Sequence, residues 1–128
     1  MKIKSFDTRI PIYQQVINHV EELIVSGELE PGQELPSRRE LARLFSINPN
    51  TVQRAFSEME EKKWLFTEMG RPSQLTKDPQ TLKKIRLNWV NRAVKNFVNA
   101  LEAMDLTTEE IIQLIKTEIE SRKDEKND

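Results

Sequence analysis

Between Leu35 and Phe56 the charged residues are Arg38, Arg39, Arg43 and Arg54 against Glu40 alone, in a chain whose formal net charge is −1. Ser37, Asn48, Asn50, Thr51, Gln53 and Ser57 lie in or beside that stretch, side chains that exchange hydrogen bonds without ionising at neutral pH. The chemistry such a set can do is recognition of a polyanion, with fixed positive charge for phosphates and amides for the edges of bases. Acidic residues crowd elsewhere, at Glu21, Glu22, Glu28, Glu30 and Glu34 and again at Glu58, Glu60 and Glu61. Local rather than net charge decides what the basic stretch attracts.

Covalent or acid–base catalysis finds little footing. The chain has no cysteine, so neither a disulfide nor a thiolate is available. His19 is the single histidine and has no sequence partners for a metal set, which makes it a surface or core-edge imidazole. The three glycines are dispersed and form no phosphate-cradling loop. The expectation is therefore a protein without enzymatic activity, cofactor or metal. No apolar run approaches the roughly 20 residues of a membrane span, and the opening MKIKSFDTRIPIY lacks the apolar core of a signal peptide. This predicts a cytoplasmic protein with no membrane attachment.

The polar set needs elements to hold it. Pro11 suits a helix start, and Ile12, Val16, Ile17, Val20, Leu23 and Ile24 recur at helical spacing until Gly27. Pro31-Gly32 marks a turn. Ser37 with Glu40 three residues on is a capping box, so a short helix begins there with Leu41, Leu44 and Phe45 as its apolar face. Ser46-Ile47 reads as a tight turn, and Asn48-Pro49 opens a third helix. That helix buries Val52, Ala55, Phe56 and Met59, leaving Asn50, Gln53, Arg54 and Ser57 on the opposite face. Glu58 and Glu61 repel phosphates farther along, so only the amino-terminal half suits a groove. Trp64 to Thr67 and Gln74 to Thr76 pair as strands around Gly70, with Trp64 and Phe66 expected beneath the third helix. The order of parts is a winged helix-turn-helix spanning residues 1–77.

Beyond Lys77 the pattern changes. Asp78-Pro79 caps a long helix in which Leu82, Ile85, Trp89, Ala93, Phe97, Leu101 and Met104 recur at intervals of three or four, widened by Val90, Val94 and Val98. Thr107 with Glu110 is a second capping box, ahead of a helix whose apolar residues include Ile111, Ile112, Leu114, Ile115 and Ile119. The tail from Glu120, ESRKDEKND, is charged and expected to fray. Faces this broad need a partner, and the same helical pair from a second chain is the simplest. Residues 78–128 thus read as a two-helix dimerisation region using Leu82, Ile85, Trp89, Ala93, Phe97, Leu101, Ile111 and Ile115. The predicted fold is mainly α with a small β-hairpin wing. A cleft for a small-molecule effector lined by Trp89, Phe97 and Met104 is a weaker reading of the same stripe than core. The basic run Lys77, Lys83, Lys84, Arg86, Arg92 and Lys95 fits a solvated face, added phosphate contacts or pairing across a dimer alike.

PIYQQV near the start, LPSRRELARLF, NPNTVQRAFSEME, WLF and GRP, in that order and spacing, resemble the DNA-binding domain of the GntR family of bacterial transcription regulators. The short two-helix tail is similar to the YtrA-type subgroup. The resemblance implies an obligate homodimer on a palindromic operator, acting as a repressor and often controlling a transporter operon or its own transcription. It implies that Arg39 is the DNA-contacting arginine before Glu-Leu, with Ser37 beginning that helix. It also implies that Asn50, Thr51 and Gln53 contact bases and phosphates, and that Gly70-Arg71 is the wing tip entering the minor groove. Arg38, Asn48 and Arg54 complete the expected DNA-binding set. Three positions depart from the family pattern: Pro49 where many members have a basic residue, Lys63 where glycine is usual, and Pro72 in place of a frequent second wing glycine. With Pro49 unable to reach a base, Gln53 becomes the foremost reader, of adenine by its amide. The competing reading is a winged-helix module that binds protein, with the arginines a solvated face.

Overall fold

The computed structural model describes residues 6–127. Residues 1–5, part of the segment read for a signal sequence, and residue 128, the last of the charged tail, lie outside the described residues. Among the described residues, five helices and one two-stranded sheet run in the order α1 (Ile12–Ser26), α2 (Arg38–Phe45), α3 (Pro49–Glu61), β1 (Leu65–Phe66), β2 (Gln74–Leu75), α4 (Pro79–Leu101) and α5 (Thr108–Asn127). This is the mainly helical fold with a hairpin wing expected from the sequence.

Single residues set the helix ends. Gly27 takes φ 82°, open to glycine without strain, and its N–H closes on the Ile24 carbonyl at 3.2 Å to stop α1. The Ser37 hydroxyl accepts from the Glu40 amide at 3.0 Å to start α2. Ser46, left-handed at φ 54°, ends that helix, and the Asn48 side chain accepts from the Asn50 amide at 2.8 Å to start α3. At the far end of α3, Lys63 adopts the left-handed conformation at φ 68°, where the resemblance implies glycine, a backbone cost of roughly 1 kcal/mol.

The core lies between α1, α2 and α3. Val16, Ile17, Val20 and Ile24 of α1 meet Val52, Phe56 and Met59 of α3 and Leu41 and Phe45 of α2, all buried. His19 is also buried, edge-on to the Phe45 ring with centroids 5.7 Å apart, which makes it a core histidine. The sheet is short: Leu65 pairs with Leu75 and Phe66 with Gln74, antiparallel. Glu34 bridges to Gln74 on the other side of β2, and Leu35 N–H donates to the Ser73 carbonyl at 2.8 Å. Leu65 faces inward and Phe66, 53% exposed, faces solvent, so Phe66 does not lie beneath α3 as expected. The pleat is the reason: neighbouring strand residues point to opposite faces, and Leu65 holds the inner place. Trp64, half-buried, packs on the core edge under the Lys62 ammonium.

The chain divides into two compact units, Met1–Asn91 and Arg92–Asp128. The first unit runs into α4, with Leu82 and Ile85 buried in its core. This corrects their expected place in a dimer face. Steps of four residues advance about 400° around a helix, a drift of roughly 40° each, so Ile85 and Leu101 cannot share one stripe. In the second unit Phe97 and Val98 are 40% and 49% exposed, and α5 has no buried residue. The α5 capping box is complete, with the Thr107 amide donating to the Glu110 carboxylate at 3.1 Å and the Glu110 amide to the Thr107 hydroxyl at 3.2 Å. Among the described residues the helix runs to Asn127, with Arg122 donating to Glu118 at 2.8 Å one turn back.

Candidate nucleic-acid interface

Burying Val52, Ala55, Phe56 and Met59 turns the opposite side of α3 to solvent, and Asn50, Gln53, Arg54 and Ser57 are all exposed there. Thr51, half-buried, sits at the edge of this face. The exposed Gln53 amide rests on Ser57, donating to its hydroxyl at 3.2 Å. Arg54 is pre-positioned: its guanidinium stacks on the Tyr13 ring of α1, 3.8 Å from the centroid. An open hollow of about 350 Å³ joins the two helices there, lined by Ile12, Tyr13, Asn48, Asn50, Thr51 and Arg54. Tyr13 was not among the expected site residues; its signal was an aromatic in the first turn of α1, ahead of the buried stripe. Asn48, expected as a contact residue, commits its side-chain oxygen to capping α3.

A second open hollow, about 720 Å³, lies between the wing and the start of α2, with Ser37, Arg38, Gly70 and Arg71 on its walls. Gly70 turns the tip at φ 77°, and the Arg71 amide closes the turn on the Glu68 carbonyl at 3.0 Å. The Arg71 guanidinium is exposed, with the Glu68 carboxylate 3.6 Å away, an ion pair too solvated to hold it against a stronger anion. Arg39 and Arg43 are exposed on α2 and line neither hollow.

Arg38, expected as a DNA-contact residue, lines the second hollow but unlike its neighbour is also held by the fold. Its guanidinium donates to the Glu60 carboxylate of α3 and lies 5.1 Å from the Phe56 ring centroid. The Thr67 hydroxyl donates to the same Glu60 oxygen at 3.1 Å, and Thr67 and Ser73 share a hydroxyl–hydroxyl bond of 2.6 Å. Arg38 is thus engaged within the fold.

The structure places the expected residues in three groups: Asn48, Asn50, Thr51 and Arg54 around the first hollow, Ser37, Arg38, Gly70 and Arg71 around the second, and Arg39 and Gln53 exposed outside both. The half-buried Glu58 and exposed Glu61 mark the other end of α3 as hostile to anions. Among the described residues no helix is long and apolar enough to cross a membrane.

Comparison with known proteins agrees with this geometry. Residues 12–74 match the family described as bacterial regulatory proteins, gntR family. The chain is 33% identical over 88% of its length to an uncharacterised HTH-type transcriptional regulator, YhcF, of Bacillus subtilis, covering 93% of that protein. It is 32% identical over 83% of its length to the HTH-type transcriptional repressor YtrA of Bacillus subtilis, covering 82% of it. A solved structure of a GntR family transcriptional regulator from Listeria monocytogenes superposes with a TM-score of 0.79 at 33% identity, over 88% of this chain and 98% of that one.

Proposed function

This chain belongs to the GntR family of DNA-binding transcription regulators, and from that premise we propose that it is a repressor that binds a palindromic operator as a homodimer. The observation that carries the reading is the exposed amino-terminal half of α3, where Asn50, Gln53 and Arg54 stand clear of the core with Arg54 stacked on Tyr13. α3 enters the major groove, Gln53 reads a base edge, and Asn50, Thr51 and Arg54 hold bases or phosphates. Arg39 contacts DNA from the start of α2. Gly70 and Arg71 reach the minor groove, whose negative potential suits arginine. The resemblance to the family adds control of a transporter operon or of the protein's own gene.

Dimerisation falls to the side chains the single chain leaves uncovered. Ala93, Phe97 and Ile115 are exposed, and Trp89, Leu101 and Ile111 are half-buried. A second copy offering the same surface covers them, as closed two-fold symmetry requires.

Selection of duplexes from a random pool by the full chain tests the reading. The expected result is an inverted repeat whose affinity falls steeply with salt. Arg39→Ala is expected to cost about 1–3 kcal/mol of specific binding at physiological salt. No enrichment, with binding to random duplex indifferent to salt, would overturn it in favour of a protein-binding module.

A further inference from the structure

Backbone bonds hold the base of the wing, but few reach its tip. Its ladder ends at the Phe66–Gln74 pair, and residues 67–73 extend beyond it with one internal turn bond, Arg71 N–H to the Glu68 carbonyl. So short a two-stranded hairpin is marginal by itself. Four side chains continue where the ladder stops. Glu60 is acceptor-only when ionised, so the Thr67 hydroxyl must spend its one proton on it, and Ser73 must then donate to Thr67. Arg38 supplies the opposing charge on Glu60 from the first turn of α2. Ser73 is itself buried, and its carbonyl holds Leu35. The chain of bonds therefore runs from α2 through the last turn of α3 to both arms of the wing.

We propose that Arg38, Glu60, Thr67 and Ser73 form a tie that sets the angle of the wing against α3, making Arg38 and Glu60 positioning residues for the minor-groove contact of Arg71. The proposal rests on the operator-binding reading above. Arg38 and Glu60 are each about one-third exposed, 34% and 35%, and each is held by the other. The geometry also explains why two adjacent arginines have different work: Arg39 is exposed, whereas Arg38 is turned onto Phe56 and Glu60.

The test compares the full chain with Glu60→Ala, Thr67→Val, Thr67→Ser and Arg71→Ala on its selected duplex. Glu60→Ala and Thr67→Val are expected to weaken binding by about three- to tenfold, the equivalent of one partly solvated hydrogen bond. They should flatten preference only at the flanking base pairs under the wing, leaving those under α3 unchanged. Thr67→Ser keeps the hydroxyl and is expected to restore wild-type flank preference. Combined with Arg71→Ala, Glu60→Ala should add almost nothing, since both act through one contact. A loss spread evenly over all base pairs, or one that adds in full to Arg71→Ala, would overturn the tie. Should the wild type select no duplex, the operator reading fails by itself. The tie is then judged in the free protein by backbone order parameters at Gly70 and Arg71. A fall in Thr67→Val, reversed in Thr67→Ser, upholds it, and unchanged values refute it.

Discussion

At its amino-terminal end α4 buries Leu82 and Ile85, 4% and 3% exposed, among side chains of the helical core, whereas farther along Val94, Phe97 and Val98 remain 54%, 40% and 49% exposed. Both stretches are amphipathic and similar in composition. What differs is the neighbour: the first has a packed layer to meet, and the second has none within its own unit. An apolar stripe states only that a helix must be covered. Whether the cover comes from the same chain is decided by what the rest of the chain can reach.

The largest effect should come from attacking the covered end. Ile85→Ala empties a site in the winged-helix core and is expected to lower unfolding free energy by about 2–5 kcal/mol. Denaturant titration at several protein concentrations should show the same loss at each, since the contact lies within one chain. A loss that disappears on dilution would place Ile85 between chains instead.

Phe97→Asp attacks the uncovered end, and its effect should appear as association. The expected outcome is a chain that sediments as a monomer, with a melting temperature no longer rising with concentration. Operator affinity should drop by about a hundredfold, because a two-site contact becomes a one-site contact. An unchanged dimer would exclude this face from the interface.

The same contrast explains how much was legible in the sequence. Helix ends were readable because each depends on one or two adjacent residues: Gly27, Ser37 with Glu40, Asn48, and Thr107 with Glu110 all act locally. The exposed face of α3 was readable from periodicity. What escaped was whatever depends on a distant partner. Arg38 and Arg39 look alike in sequence, and what separates them lies far along the chain, at Phe56 and at Glu60, 22 residues away. Phe66 escaped through register, since a one-residue shift in a strand reverses inside and outside. Leu82 and Ile85 escaped because spacing of three and four looks like one face over a few turns yet drifts around the helix over many.

A finer test asks whether the two regions divide the labour of recognition. Gln53→Arg should move the preferred base at one symmetric pair of operator positions from adenine toward guanine, a discrimination of about 1–3 kcal/mol. Half-site spacing should stay as it was if, as proposed, a dimer through the carboxy-terminal helices sets it. Parallel selections from random duplex with both proteins make the comparison. An unchanged consensus would pass the reading role to Asn50 or Arg54, and a changed spacing would show that base choice and dimer geometry are not separable.

The smallest effect lies at the start of α4. The Thr81 hydroxyl, 2.6 Å from the Asp78 carboxylate, and the backbone amides of Gln80 and Thr81 hold that carboxyl below the ordinary carboxylate range. A group whose folded pKa is depressed stabilises the fold above its unfolded value and loses that contribution as pH falls through the lower folded value. Asp78 should therefore help fasten α4 at neutral pH and cease to do so in acid, a modest contribution because the group is open to solvent. Asp78→Asn keeps a capping oxygen but removes the titration. Its stability should lie slightly below wild type at neutral pH, with the two curves converging in the acid range. Parallel pH–stability curves, offset equally at every pH, would show that Asp78 caps the helix without contributing through its charge.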